Sequence, residues 1–180
     1  MAQDADKPDR PVLDEETLAY VQQVFDLVRS GDAQRLRPLL EHGLPPNLLN
    51  QNGDSLLMLA CYHGHADTAA VLLAHGADTA LRSDRGQTPL AGAAFKGYGG
   101  IVRLLLDHGA AVDDAGPDGR TALMVAAMFN RIETMDMLLA AGADPQARDA
   151  RGMSVLEVAA GMGAEDAVRR LAELVPKPVQ

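Results

Sequence analysis

Gly53, Gly86, Gly119 and Gly152 are each 33 residues apart, and a second set, Gly43, Gly76, Gly109 and Gly142, keeps the same interval. A chain that repeats at a period of this size is a stack of one supersecondary unit. Each unit contacts only its neighbours and the stack leaves an extended open face. That architecture points to binding and leaves the partner unnamed.

Far more than glycine recurs in this register. Leu39-Leu40, Leu72-Leu73, Leu105-Leu106 and Leu138-Leu139 are equivalent pairs, Leu57, Leu90, Leu123 and Leu156 form a second column, and Ala60, Ala93, Ala126 and Ala159 a third. Large and small apolar residues at fixed helical offsets are what two helices need at a close crossing, so each unit is a helix pair. Ser55, Thr88, Thr121 and Ser154 stand where a hydroxyl accepts from an orphan backbone N–H and begin the first helix of each unit. Pro89 follows at the first helical position, where its missing N–H costs nothing. Gly64, Gly97, Asn130 and Gly163 close that helix, Asn being the usual substitute for glycine in a left-handed cap. Polar links rich in Asp and Arg then join the units as projecting hairpin-like turns.

The segment GQTPLAGAAFKGYGGIVRLLLDHGA resembles an ankyrin repeat, with GDSLLMLACYHGHADTAAVLLAHGAD and GRTALMVAAMFNRIETMDMLLAAGAD as companions. The resemblance runs from about Leu18 to the C-terminus and implies an all-α ankyrin-repeat solenoid. A single domain is expected over 14–175: an N-terminal capping unit at 18–50, full repeats at 51–83, 84–116 and 117–149, and a C-terminal capping unit at 150–175. Loosely ordered segments are expected at 1–13 and 176–180. Asp14, Glu15 and Glu16 suit the positive end of a first helix running to Ser30, and Glu165, Asp166, Arg169, Arg170 and Glu173 give the last helix the polar outer face of a cap. The histidine that ankyrin repeats usually carry after Thr-Pro-Leu is replaced by Met58, Ala91, Met124 and Glu157, which predicts a thinner hydrogen-bond network between units. Pro38 inside a helix, at a typical cost of about 3 kcal/mol, and Gly99-Gly100 at the start of another predict local fraying.

Composition narrows the function. The chain is 47% apolar and only 3% aromatic, as a helical stack of Ala, Leu and Gly should be. A net charge of −9 argues against nucleic acid, which needs a basic stripe. The turns carry Arg82, Arg85, Arg120, Arg148 and Arg151 together with Asp78, Asp84, Asp113, Asp114, Asp118, Asp144 and Asp149, so the two signs cancel with an acidic excess. Residues Met1 to Arg10 show no apolar run, so neither a secretory signal nor a membrane anchor is read there and a cytoplasmic location is expected; a monomer is expected as well. Heavy use of Arg over Lys suggests a GC-rich bacterial source.

No catalytic, cofactor or metal site is expected. His42, His75 and His108 lie in one column a whole repeat apart. Packed helices stand about 8–10 Å from each other, whereas zinc needs each ligand nitrogen about 2 Å from one ion. Each is better read as a partner of its own helix dipole. Ser154 and Glu157 form a capping box, Cys61 falls in the small-residue column as a structural thiol, and Gly92 to Tyr98 lacks the Lys-Ser/Thr of a phosphate loop. With no nucleophile, base and orienting group in one place, the chain is not read as an enzyme.

In ankyrin repeats the two residues before the glycine that ends the first helix face the concave groove. The resemblance places Tyr62-His63, Phe95-Lys96, Met128-Phe129 and Gly161-Met162 there, so three of the chain's six aromatic residues fall in eight positions. Tyr62, His63, Phe95, Lys96, Met128, Phe129 and Met162 are the expected groove contacts, with Asp54, Arg85, Gln87 and Arg120 at the turn tips. Aromatics and Met suit the centre of a protein interface. Burying each stabilises by roughly 1.5–3 kcal/mol, against an association cost of about 4–15 kcal/mol, so the turn tips must contribute. The expected function is an adaptor or assembly module holding a protein or peptide, the alternative an inhibitor or immunity-type protein that occludes one enzyme's active site.

Overall fold

A computed structural model describes residues 14–174. The segments expected to be loose, 1–13 and 176–180, lie outside the described residues. Ten helices follow one another among the described residues: α1 (Glu15–Ser30), α2 (Ala33–Glu41), α3 (Leu56–His63), α4 (Ala66–Ala74), α5 (Pro89–Lys96), α6 (Gly99–Asp107), α7 (Ala122–Met128), α8 (Ile132–Ala140), α9 (Val155–Gly161) and α10 (Glu165–Leu174). They pair within units and stack in two layers, α1, α3, α5, α7 and α9 in one and the even-numbered helices in the other. This is the all-α solenoid expected from the 33-residue period.

The helix starts are set by side-chain caps. Ser55, Thr88, Thr121 and Ser154 accept from the backbone N–H of Met58, Ala91, Met124 and Glu157, and Asp14 and Asp32 do the same for α1 and α2. At Ser154 the box is closed, because the Glu157 carboxylate accepts from the Ser154 N–H at 2.8 Å. The repeated apolar columns form the core: Ala60, Ala93, Ala126 and Ala159 are fully buried, as are Leu72, Leu105 and Leu138. Only a methyl at the alanine column lets neighbouring helices of the first layer come this close.

The turns that join the units are four copies of one hairpin. The N–H of Asn50, Ser83, Gly116 and Asp149 donates to the carbonyl of Asp54, Gln87, Arg120 and Met153 at 2.9–3.0 Å. Successive turns touch. Asp84 N–H donates to Asn52 O at 3.2 Å and Ala150 N–H to Asp118 O at 2.8 Å. A Cβ on Gly119 would stand 2.4 Å from the Ala150 nitrogen. Gly53, Gly86 and Gly119 are therefore required twice, by positive φ and by the next turn. Pro117 holds the equivalent donor position in the remaining turn. It has no N–H to give, and its ring lies against Gly86 instead, 2.3 Å from where a Cβ would be.

The histidine that usually ties the turns is indeed absent: Met58 and Met124 are buried and Glu157 serves its cap. The units are tied elsewhere. His65 Nε2 donates to the Arg29 carbonyl at 2.8 Å, Arg131 Nε to the Phe95 carbonyl at 3.1 Å and Arg170 Nε to Asp136 at 2.8 Å, while Arg82 pairs with Asp114. Pro38 causes no break. α2 runs through it, with Leu36 and Leu40 buried on either side, and the carbonyl it orphans belongs to Gln34, an exposed residue. α6 begins at Gly99, whose bare Cα admits Met137: an added Cβ would lie 2.9 Å from the Met137 sulfur.

Asn130 does more than replace a glycine. Its φ is 55°, the left-handed value expected of a cap. Its side chain also crosses to the next unit, where Oδ1 accepts from the Ala167 N–H at 2.9 Å and Nδ2 donates to Asp166 at 3.0 Å. Ala164, just before α10, has no oxygen with which to cap it, so the cap is supplied from the preceding repeat. Asn130→Gly removes that cap while relieving the backbone, and N-cap losses are worth about 1 kcal/mol. The expected outcome is a net loss of stability in urea unfolding, although glycine stands at this place in the other repeats.

Candidate partner-binding groove

Inner helices α3, α5 and α7 and the turn tips beside them enclose a groove of about 760 Å³. Nine of the expected contact residues line it: Tyr62, His63, Phe95, Met128 and Phe129 on the helix side, and Asp54, Arg85, Gln87 and Arg120 on the turn side. Lys96 stands at its edge, over the rings. Met162 is placed apart from them, half-exposed as the C-cap of α9 and outside the groove lining. The helix that carries it ends at Gly161, in the last unit, beyond the helices that build the groove.

The aromatic residues form a continuous ladder across three repeats. The Tyr62 and Phe95 rings are parallel, with centroids 6.2 Å apart, and Phe129 meets Phe95 edge-on at 4.5 Å. The two outer rungs remain open, Tyr62 at 40% and Phe129 at 37% exposure, while Phe95 between them is half-buried. Offset and edge-to-face pairs are each worth about 0.5–1.5 kcal/mol beyond area burial, so the ladder is a preformed surface and its rungs are held before any partner arrives. Sequence reasoning missed the floor beneath it. Met58, Leu59, Ala91, Gly92 and Val125 line the groove, and Gly92 leaves room beside the Met58 sulfur, 3.4 Å from where a Cβ would be. Small residues after the N-cap were the available signal, since they hollow the surface between larger neighbours.

The turn side is polar and partly self-paired. Asp118 receives the Arg120 N–H at 3.1 Å and lies 3.5 Å from its guanidinium. Asp54 accepts from Asn50 Nδ2 at 3.1 Å. Arg120 Nε is buried without a hydrogen-bond partner. The repeated histidines and the one cysteine are held by local structure. His42, His75 and His108 each direct Nδ1 at a carbonyl four residues back, Pro38, Val71 and Leu104, at 2.6–2.8 Å. A carbonyl only accepts, so Nδ1 carries the proton and each ring is tied to its own helix end. Burial pushes the Cys61 thiol up to about 12, which keeps it protonated and inert.

His63 is the group in the groove with a displaced proton affinity. Burial lowers its pKa below 6.5, and the nearby positive charges of His65, Arg29 and Lys96 lower it further. The unfolded chain thus takes up this proton before the folded chain does. Stability from His63 is whole above about pH 6.5 and is lost as pH falls through that value toward the lower folded one. Melting followed by circular dichroism between pH 7.5 and 5 should show His63→Gln declining less steeply than the unmodified chain.

No described helix is long and apolar enough to cross a membrane. A family model described as ankyrin repeats (3 copies) matches residues 25–115 and 111–178. A Pseudomonas aeruginosa protein named as an ankyrin repeat protein is 68% identical over 59 residues, which is 33% of this chain and 34% of that relative. The chain thus spans about a third of the relative's length, and the relative's source agrees with the bacterial origin read from composition. With five stacked helix pairs and a family match over most of its length, this chain belongs to the ankyrin repeat family.

Proposed function

We propose that this protein is an adaptor or assembly module that seats a protein or peptide partner in its concave groove, as a monomer in the cytoplasm. Ankyrin repeats in general are protein–protein interaction modules. The observation that supports the reading most is the ladder of Tyr62, Phe95 and Phe129. Along the solenoid the packing columns repeat Leu and Ala, yet here three aromatic rings line up along one face with their outer members open to solvent. Interfaces draw most of their energy from a few such anchors.

The ladder and the turn tips divide the work. Tyr62, Phe95, Met128 and Phe129 offer apolar area, while Asp54, Arg85, Gln87 and Arg120 line the same groove from the turns and offer hydrogen bonds that set register. A partner that meets both sets is an extended segment or a narrow edge of a folded protein.

Replacing both Tyr62 and Phe129 by alanine tests this reading. These are the open rungs, so the loss of ring pairing is on the order of 1–3 kcal/mol and the melting temperature should fall by roughly 2–12 °C, leaving the protein folded at the temperature of the binding assay. Capture of partners on the immobilised protein should drop at least tenfold. Unchanged capture, or a loss of capture that merely follows unfolding, contradicts it.

A further inference from the structure

One edge of the aromatic ladder is basic, although the chain carries a net charge of −9. Arg29, His63, His65 and Lys96 converge there from three units. The Lys96 ammonium lies 4.4 Å from the Tyr62 ring centre and 5.6 Å from that of Phe95. His63 meets Tyr62 edge-on at 5.7 Å and stacks on His65 at 6.1 Å, and His65 in turn holds the Arg29 carbonyl. Arg29 is neutralised by Asp26 at 2.9 Å. Lys96 is in no ion pair among the described residues, and neither is Arg85 at the turn side of the groove. The charged groups that perturb His63 are all cations. Lys96 ends α5 and Arg85 precedes its start. Eight helical residues span about 12 Å, so the two cations without an ion-pair partner stand toward opposite ends of α5, with the Phe95 rung nearer Lys96.

We infer that the segment seated in this groove is acidic: an extended peptide whose apolar centre lies on Tyr62, Phe95 and Phe129 and whose flanking Asp or Glu side chains meet Lys96 on one side and Arg85 on the other. The inference rests on the groove reading above and adds the partner's chemistry to it. The overall acidic charge opposes such a partner at long range. At physiological ionic strength the screening length is about 8 Å, so acids on the outer helices are damped while charges in contact are not; of the two carboxylates that line the groove, Asp118 is paired with Arg120 and Asp54 accepts from Asn50, which leaves Lys96 and Arg85 as the cations without an ion-pair partner. A basic segment would be drawn by the net charge and then meet Lys96 and Arg85 at contact, where like charges oppose docking. Lys96 is also pre-placed: holding it over two rings removes side-chain freedom before the partner arrives.

The test uses the ¹⁵N-labelled full chain and three synthetic nine-residue peptides with one shared Leu-Phe-Leu centre, flanked by Asp/Glu, by Ser/Asn or by Lys, titrated at 0.15 M salt. The acidic-flanked peptide should bind about tenfold more tightly than the neutral one and move the amide signals of Tyr62, Phe95, Lys96 and Phe129. Lys96→Glu should abolish that preference. Because the peptide series is run on the unmodified chain, the comparison stands even where the variant folds poorly. Equal affinity of all three peptides in the groove, or tightest binding of the lysine-flanked one, overturns the acidic inference and leaves the groove reading intact. Absence of groove shifts with any peptide at millimolar concentration overturns both.

Discussion

Successive turns in this molecule approach until there is no room for a methyl group. Gly53, Gly86 and Gly119 each face an atom of the next turn within 2.4 Å of where a Cβ would sit. The alanine column does the same one layer down, where Ala60, Ala93, Ala126 and Ala159 are fully buried between neighbouring helices. Since a repeat protein has only nearest-neighbour interfaces, its stability is close to a sum of these contacts. Everything else, including the alignment of side chains on the open face, inherits its spacing from them.

That close approach explains how a chain with few aromatics can build a continuous ring surface. Rings one repeat apart come within pairing distance only because the helices beneath them are separated by small residues. Tyr62 and Phe95 lie parallel at 6.2 Å and Phe95 and Phe129 cross at 4.5 Å for this reason. A bulkier alanine column would spread the rungs, and the ladder would become three separate side chains. Packing and recognition are thus one argument at two depths: the buried columns set the pitch and the groove column uses it.

Features with a local cause were legible in the sequence. The caps at Ser55, Thr88, Thr121 and Ser154, the left-handed Asn130 and the tethering of His42, His75 and His108 to their own helices each depend on residues within four positions, and the structure places them so. The groove column was legible through family resemblance, which put Tyr62, Phe95, Phe129 and Met162 in equivalent positions; the first three line the groove between α3, α5 and α7, and Met162 lies in the next unit. What was not legible depends on side-chain direction across 31–37 residues. Asn130 capping α10, Arg131 reaching the Phe95 carbonyl and His65 reaching that of Arg29 are examples, and so is the basic edge around Lys96. The period brings these residues into register, but only rotamers decide which of them touch. Pro117 is intermediate: its missing N–H is plain in the sequence, but that it interrupts a ladder of turn-to-turn bonds emerges only once the Asp84 and Ala150 donors are seen in place.

The central claim, that the ladder face is the surface that binds, is tested most directly by hydroxyl-radical footprinting of the protein alone and with a captured partner bound. Aromatic and Met side chains report their own exposure, and exposed Tyr20 and Tyr98 lie outside the groove lining as internal references. The account predicts that Tyr62, Met128 and Phe129 lose reactivity in the complex while Tyr20 and Tyr98 keep theirs. Protection of Tyr20 or Tyr98 with the groove residues unchanged would contradict it.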